Sequence, residues 1–213
     1  MTDLLNAVLV IILVMNLFAL GTTRIQAVIR TVSAQGILLG VAPLLVHQHL
    51  TIPVALMIVV AIVIKGLLIP SIMIRALRDA QIKREVEPFI GFLPSIILGA
   101  LATAFALLIA GQLPLASRHY GTLLVPTSVA TVIVGFIFLV SRYKAISQVI
   151  GYLVLENGIF IFGMLLIEAM PLVVELGVLL DLFVGIFVIG IILNHINRAF
   201  SSMDTRKLVS LKE

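Results

Sequence analysis

Apolar residues in this chain come in runs of nearly twenty, separated by short polar connections. Seven such runs stand out, at 3–20, 31–46, 51–74, 89–111, 122–140, 145–167 and 171–193. Most approach the ~20 residues that an α-helix needs to cross ~30 Å of hydrocarbon, so the pattern predicts an all-α, polytopic membrane bundle of about seven helices. The second run is the weakest, because it is short and carries Ser33, Gln35 and Pro43. It is expected to be tilted or packed wholly against protein. Six helices is the fallback count.

The polar connections are strongly unequal. Of the 14 Lys and Arg residues, 12 fall in alternate connections and the tail, at Arg24 and Arg30, from Arg75 to Arg84, at Arg142 and Lys144, and from Arg198 onward. The other set of connections holds only Arg118, and Lys65 lies inside a run. The positive-inside rule then places the N-terminus outside and the C-terminus in the cytoplasm. Three-helix units at 1–88 (with a cytoplasmic loop) and 122–200 flank a connecting helix within 89–121, and a cytoplasmic tail at 201–213 completes a single membrane domain. A faint repeat at an offset of 118 residues, aligning Arg24 with Arg142 and Gly40 with Gly158, suggests that the two units are parallel copies.

Composition agrees: 62% of residues are hydrophobic and 11% charged, and the mean hydropathy is +1.27. The net charge of +4 is dispersed among connections, which speaks for topology signals rather than nucleic-acid binding. The chain has no cysteine, which removes thiolate metal sites, iron-sulfur ligation and a thiol nucleophile. His47, His49 and His119 fall on the outer side and His195 at the cytoplasmic end, so no mid-membrane pair is placed to hold haem. No cofactor, metal or catalytic residue is expected in this chain. A cleaved leader is not expected either, since no basic residue precedes the first run.

Three charges sit deep inside apolar runs. Glu156 lies midway along 145–167, Asp181 next to the midpoint of 171–193, and Lys65 just past the centre of 51–74. A charge at the bilayer centre costs at least ~2.5–3.5 kcal/mol on insertion scales, so such residues face a bundle interior, pair, or mark an ion path. Glu156 and Asp181 are expected at matching depth on adjacent antiparallel helices, as protonatable relay sites. Lys65 is too deep to snorkel and calls for a buried carboxylate partner, in this chain or a neighbour. Asn157 is expected to orient Glu156 or a water, and Glu175, ~9 Å outward of Asp181, to line an outer path. The alternative is that these groups act as hydrogen-bonding glue between helices.

The segments VIGYLVLENGIFIFGMLL and PLVVELGVLLDLFVGIFVIGIILNHINR resemble the K subunit of complex I and its relatives in cation antiporters. Glu156 takes the first of that family's two acid positions and Asp181 the second, although the 25 residues between them are fewer than in the K subunit. A fuller resemblance, carried by KGLLIPSIM, GYLVLENG, VELGVLLD and the ending LVSLK, is to the hydrogenase-4 component E family. That resemblance implies a multi-pass, non-redox subunit of the prokaryotic cytoplasmic membrane. It also implies partners: antiporter-like membrane subunits, an H-subunit-like membrane anchor, and soluble nickel-iron hydrogenase-type and iron-sulfur subunits. A stand-alone secondary ion transporter and a passive scaffold linking antiporter-like subunits are the rival readings.

The charge asymmetry is directly testable. A reporter fused after Lys212 should be active only in the cytoplasm, and activity on the outer face would invert the map.

Overall fold

The computed structural model describes residues 2–46, 58–60, 62–79, 89–113 and 121–166, together with Gly177 and Gly190. The described residues are all-helical, and six helices are long and apolar enough to cross a membrane. The expected seventh, at 171–193, lies outside the described residues apart from Gly177 and Gly190, as do all four histidines, Asp181, Glu175 and the tail. In chain order the helices are α1 (Thr2–Gly21), α2 (Ile25–Val46), a π-helical segment (Ile62–Leu68) that runs on into α3 (Ile69–Asp79), α4 (Phe92–Ala110), α5 (Leu124–Ser141) and α6 (Ala145–Leu166). The third span, Ile58–Arg75, contains the π-helical segment and the start of α3.

Two boundaries differ from the hydrophobic pattern. Helix α2 starts six residues before the second apolar run, so Arg30, read as a connection residue, sits inside it. Arg30 is exposed in the second turn of α2, a position from which a long cationic side chain can reach the membrane interface. The expected loop at Arg75 likewise begins as helix, since α3 continues to Asp79. Well over half of the hydrophobic window of α2 is buried, in keeping with its polar residues needing protein rather than lipid around them.

Helices α1, α2, α6 and α5 pack in that order around a ring. The third span lies against α2, and α4 lies against α1 and α5. Helix α4 buries one stripe of small residues, Ser95, Gly99, Ala102 and Ala106, and turns large apolar side chains such as Leu101, Phe105 and Leu108 outward. The closest pair is α5 with α6, where the backbones touch. A Cβ on Gly135 would meet the Leu155 nitrogen at 2.6 Å, and one on Gly158 the Val132 nitrogen at 2.7 Å. Small residues at a membrane helix crossing permit this approach, and van der Waals packing then drives it. The Ser128 hydroxyl ties the same crossing by donating to the Gly158 carbonyl at 3.0 Å.

Polar ties fix both ends of the ring. At the end where α1 begins, the Asn6 side chain donates to the Gly121 carbonyl and accepts from the Leu123 N–H, both at 2.9 Å, pinning the start of α5 to α1. Gly121 has φ +83°, a backbone conformation that glycine adopts without a Cβ penalty. At the opposite end Arg142, read from sequence only as a topology signal, is 2% exposed. Its Nη2 donates to the Leu20 carbonyl in the last turn of α1 at 2.9 Å, where a cation complements the helix dipole. Its guanidinium also lies 5.3 Å from the Phe92 ring centroid and 5.2 Å from that of Phe138, so one side chain gathers α1, α4 and α5. Burial pushes the Arg142 pKa down, although arginine keeps its charge even so.

The α5–α6 contact predicts a sharp contrast between two glycines of one helix. Gly158→Leu should destabilise the protein by about 1–3 kcal/mol or more through overpacking against backbone. Gly163→Ala, where a Cβ meets nothing within 4 Å, should be tolerated. Thermal unfolding of the purified protein in detergent separates the two.

Candidate functional site

The buried charges meet where the third span crosses α2 and α6. Lys65 sits in the π-helical segment, and its Nζ lies 2.7 Å from Glu156 Oε1 on α6. Glu156 is 4% exposed and the Lys65 side chain 15%, even before any lipid is placed around the bundle. The carboxylate partner that Lys65 called for is thus within this chain. The ammonium also lies 5.4 Å from the Phe160 ring centroid, one turn beyond Glu156 on the same helix, which adds a cation–π contact.

Local sequence makes this approach possible. A Cβ on Gly36 of α2 would stand 2.8 Å from the Lys65 Cβ, so glycine there lets the lysine stem pass close to α2. The π-helix is a rare geometry that concentrates at functional sites. Beside Lys65, the Ser33 hydroxyl donates to the Gly66 carbonyl at 2.8 Å, giving a backbone acceptor in that wider turn a partner from α2. Asn157, next to Glu156, is 2% exposed and lines a small cavity together with Lys65 and Ser33.

A second polar group occupies the ring interior at similar depth. Gln35 Nε2 on α2 donates to Asn16 Oδ1 on α1 at 2.8 Å and to the Ile12 carbonyl at 3.3 Å. Asn16 Nδ2 in turn donates to the Thr131 hydroxyl on α5 at 2.8 Å. Gln35 and Thr131 are fully buried and Asn16 nearly so. Interhelical hydrogen bonds of this kind contribute ~0.6 kcal/mol each on average and up to ~1.7. Sequence reasoning missed this trio: Gln35 registered only as a weakness of its run, and Asn16 and Thr131 not at all. The available signal was an amide well inside each of two successive apolar runs.

The polar layer lies between two apolar ones. Outward of it, Leu9, Leu39 and Ile161 belong to one buried cluster. Inward, Val28, Met73, Phe138 and Ile150 belong to another. Of the sequence-predicted site residues the structure therefore brings together Lys65, Glu156 and Asn157, while Asp181 and Glu175 lie outside the described residues. Among the described residues there is no cluster of three or more His, Asp or Glu arranged to hold a metal ion.

The geometry makes Lys65 and Glu156 energetically interdependent. Removing one partner of a buried pair costs ~3–5 kcal/mol, whereas removing both is far milder. Lys65→Met should therefore lower stability by about that amount. Glu156→Gln should cost less, because the amide oxygen still accepts from the ammonium. The double variant should be more stable than Lys65→Met alone, a non-additivity that thermal unfolding of the four proteins in detergent measures.

No known family profile matches the chain, and no solved structure does. Among curated proteins it is 27% identical to the hydrogenase-4 component E of Escherichia coli K12 and to that of Shigella flexneri, over 71% of this chain and 70% of each of those proteins. A stronger likeness, 31% identity over 89% of this chain and 87% of the other, is to "Uncharacterized protein Rv0085" of Mycobacterium tuberculosis. With that extent of shared sequence, this polytopic helical protein belongs to the same family as Rv0085.

Proposed function

We propose that the chain is a non-redox membrane subunit of a hydrogenase-type complex, in which its buried charges take part in moving protons, or sodium ions, coupled to electron transfer. The observation that carries the reading is the Lys65–Glu156 pair, enclosed at mid-depth between two apolar layers. A hydrogen-bonded acid and base at 2.7 Å share a proton across one contact, which is the elementary step of a relay. Because burying an ionisable residue in a membrane is costly, such a residue points to a functional site by default. In this reading Asp181 and Glu175 continue the relay and Asn157 supports Glu156.

Similarity to hydrogenase-4 component E supports membership of a multisubunit assembly. Its neighbours in this proposal are antiporter-like and H-subunit-like membrane proteins, with nickel-iron and iron-sulfur subunits at the cytoplasmic face. The cysteine-free sequence fits a subunit that handles charge while others handle electrons.

Glu156→Gln separates relay from glue, since it keeps shape and hydrogen bonding but abolishes titration. Redox-driven ion pumping by membrane vesicles should be lost while the complex still assembles. Unimpaired pumping would sink the relay role and favour a scaffold, and ion flux by the purified wild-type chain alone would favour a stand-alone transporter.

A further inference from the structure

A buried amide stands beside the ion pair with no bond of its own. Asn157 follows Glu156 on α6, so its side chain leaves the helix ~100° away from that carboxylate. It lies instead with Lys65 and Ser33 in the wall of a cavity of about 10 Å³, lined otherwise by apolar side chains such as Val32, Ile69 and Leu153. Asn157 is 2% exposed, and among the described residues its amide has no hydrogen-bond partner. Buried amides are almost always bonded, to protein or to ordered water. A buried water needs ~10–15 Å³ and about two to four polar partners. This cavity comes close to the first and offers three of the second. The bonding capacities also fit. Ser33 gives its hydroxyl hydrogen to the Gly66 carbonyl at 2.8 Å, which leaves its oxygen to accept, and the Lys65 ammonium, 2.7 Å from Glu156 Oε1, is a donor only.

We infer that this cavity binds one water, held by Lys65, Ser33 and Asn157, and that Asn157 is a positioning residue that lets this water serve both protonation arrangements of the pair. The inference rests on the relay reading and assigns Asn157 to the lysine end of it. In the charged arrangement the water accepts from the ammonium and donates to Ser33 Oγ and Asn157 Oδ1. When the ammonium gives its proton to Glu156, an N–H bond breaks, an O–H bond forms on the carboxylate, and both groups become neutral. The amine then carries a lone pair that needs a donor. The water turns to donate to Nζ, keeps its bond to Ser33, and accepts from Asn157 Nδ2 as the amide turns with it. Only the proton changes owner. An amide suits this position because it carries an acceptor and a donor side by side. A water of this kind is part of the folded structure, and its task requires no opening to either face.

The test uses the full chain with its natural partners, imaged by electron cryo-microscopy at a resolution that shows other buried waters, and assayed for redox-driven pumping in vesicles. One ordered water should lie within hydrogen-bonding distance of Lys65 Nζ, Ser33 Oγ and the Asn157 amide, and a cavity without it at that resolution overturns the site. Asn157→Leu, close in volume but without polar atoms, should lose the water, keep the Lys65–Glu156 contact and slow pumping by about tenfold or more, as expected when a positioned transfer is loosened. Asn157→Thr, whose hydroxyl both donates and accepts, should retain the water and most of the pumping. Undiminished pumping in Asn157→Leu overturns the role of Asn157, as does an equal loss in Asn157→Thr with the water in place. If Asn157→Leu does not assemble, Ser33→Ala, which deletes one acceptor of the water, decides: slowed pumping in the assembled complex supports the inference and unchanged pumping overturns it. Failure here is distinct from failure of the relay. Pumping lost in Glu156→Gln but intact in Asn157→Leu leaves the relay standing and removes the role of Asn157, whereas full pumping in Glu156→Gln removes both.

Discussion

A charge in hydrocarbon must be matched inside the protein, and the contact between Lys65 and Glu156 is where this bundle meets that demand. Much of the surrounding architecture serves the contact. Gly36 removes a Cβ that would collide with the lysine stem. The backbone crossing at Gly135 and Gly158 holds α6, which carries Glu156, hard against α5. Ser33 engages the π-helical turn on which Lys65 is mounted. Each of these is a short-range packing constraint, yet together they set the position of two charges drawn from distant parts of the chain.

Around that pair the bundle is stratified. Polar side chains share one middle layer: Asn16, Gln35 and Thr131 in the ring, Lys65 and Glu156 at its flank. Apolar layers lie above and below. Neutral amides and hydroxyls that bond one another across α1, α2 and α5 offset part of their own desolvation cost without charge, whereas Lys65 and Glu156 offset theirs by pairing opposite charges. Arg142 performs a related task at one end of the bundle, joining three helix ends through one carbonyl and two aromatic rings.

The relationship to Rv0085 extends over nearly the whole chain, and the likeness to hydrogenase-4 component E over about seven tenths of it. An outward surface rich in large apolar residues, on α4 above all, suits a protein enclosed by lipid and by other membrane helices.

Hydrophobic run length and charge asymmetry determined the class of this protein, the number and order of its described spans, and which residues are costly to bury, because those are sums along the chain. Glu156 and Lys65 were legible for that reason: each is a charge where the local transfer free energy forbids one. Pairing was not, since it depends on helices brought together in three dimensions: glycine contacts join α2 to the third span and α5 to α6, and a hydrogen bond from Asn16 to Thr131 joins α1 to α5 across more than a hundred positions. The start of α2 was misread because Arg30 looks like a boundary in one dimension, while in three it reaches the interface from within a helix. Arg142 shows the converse, a residue counted for topology that tertiary packing encloses among helix ends. Local sequence carries the cost of burying a group, and only the folded structure supplies the partner that compensates it.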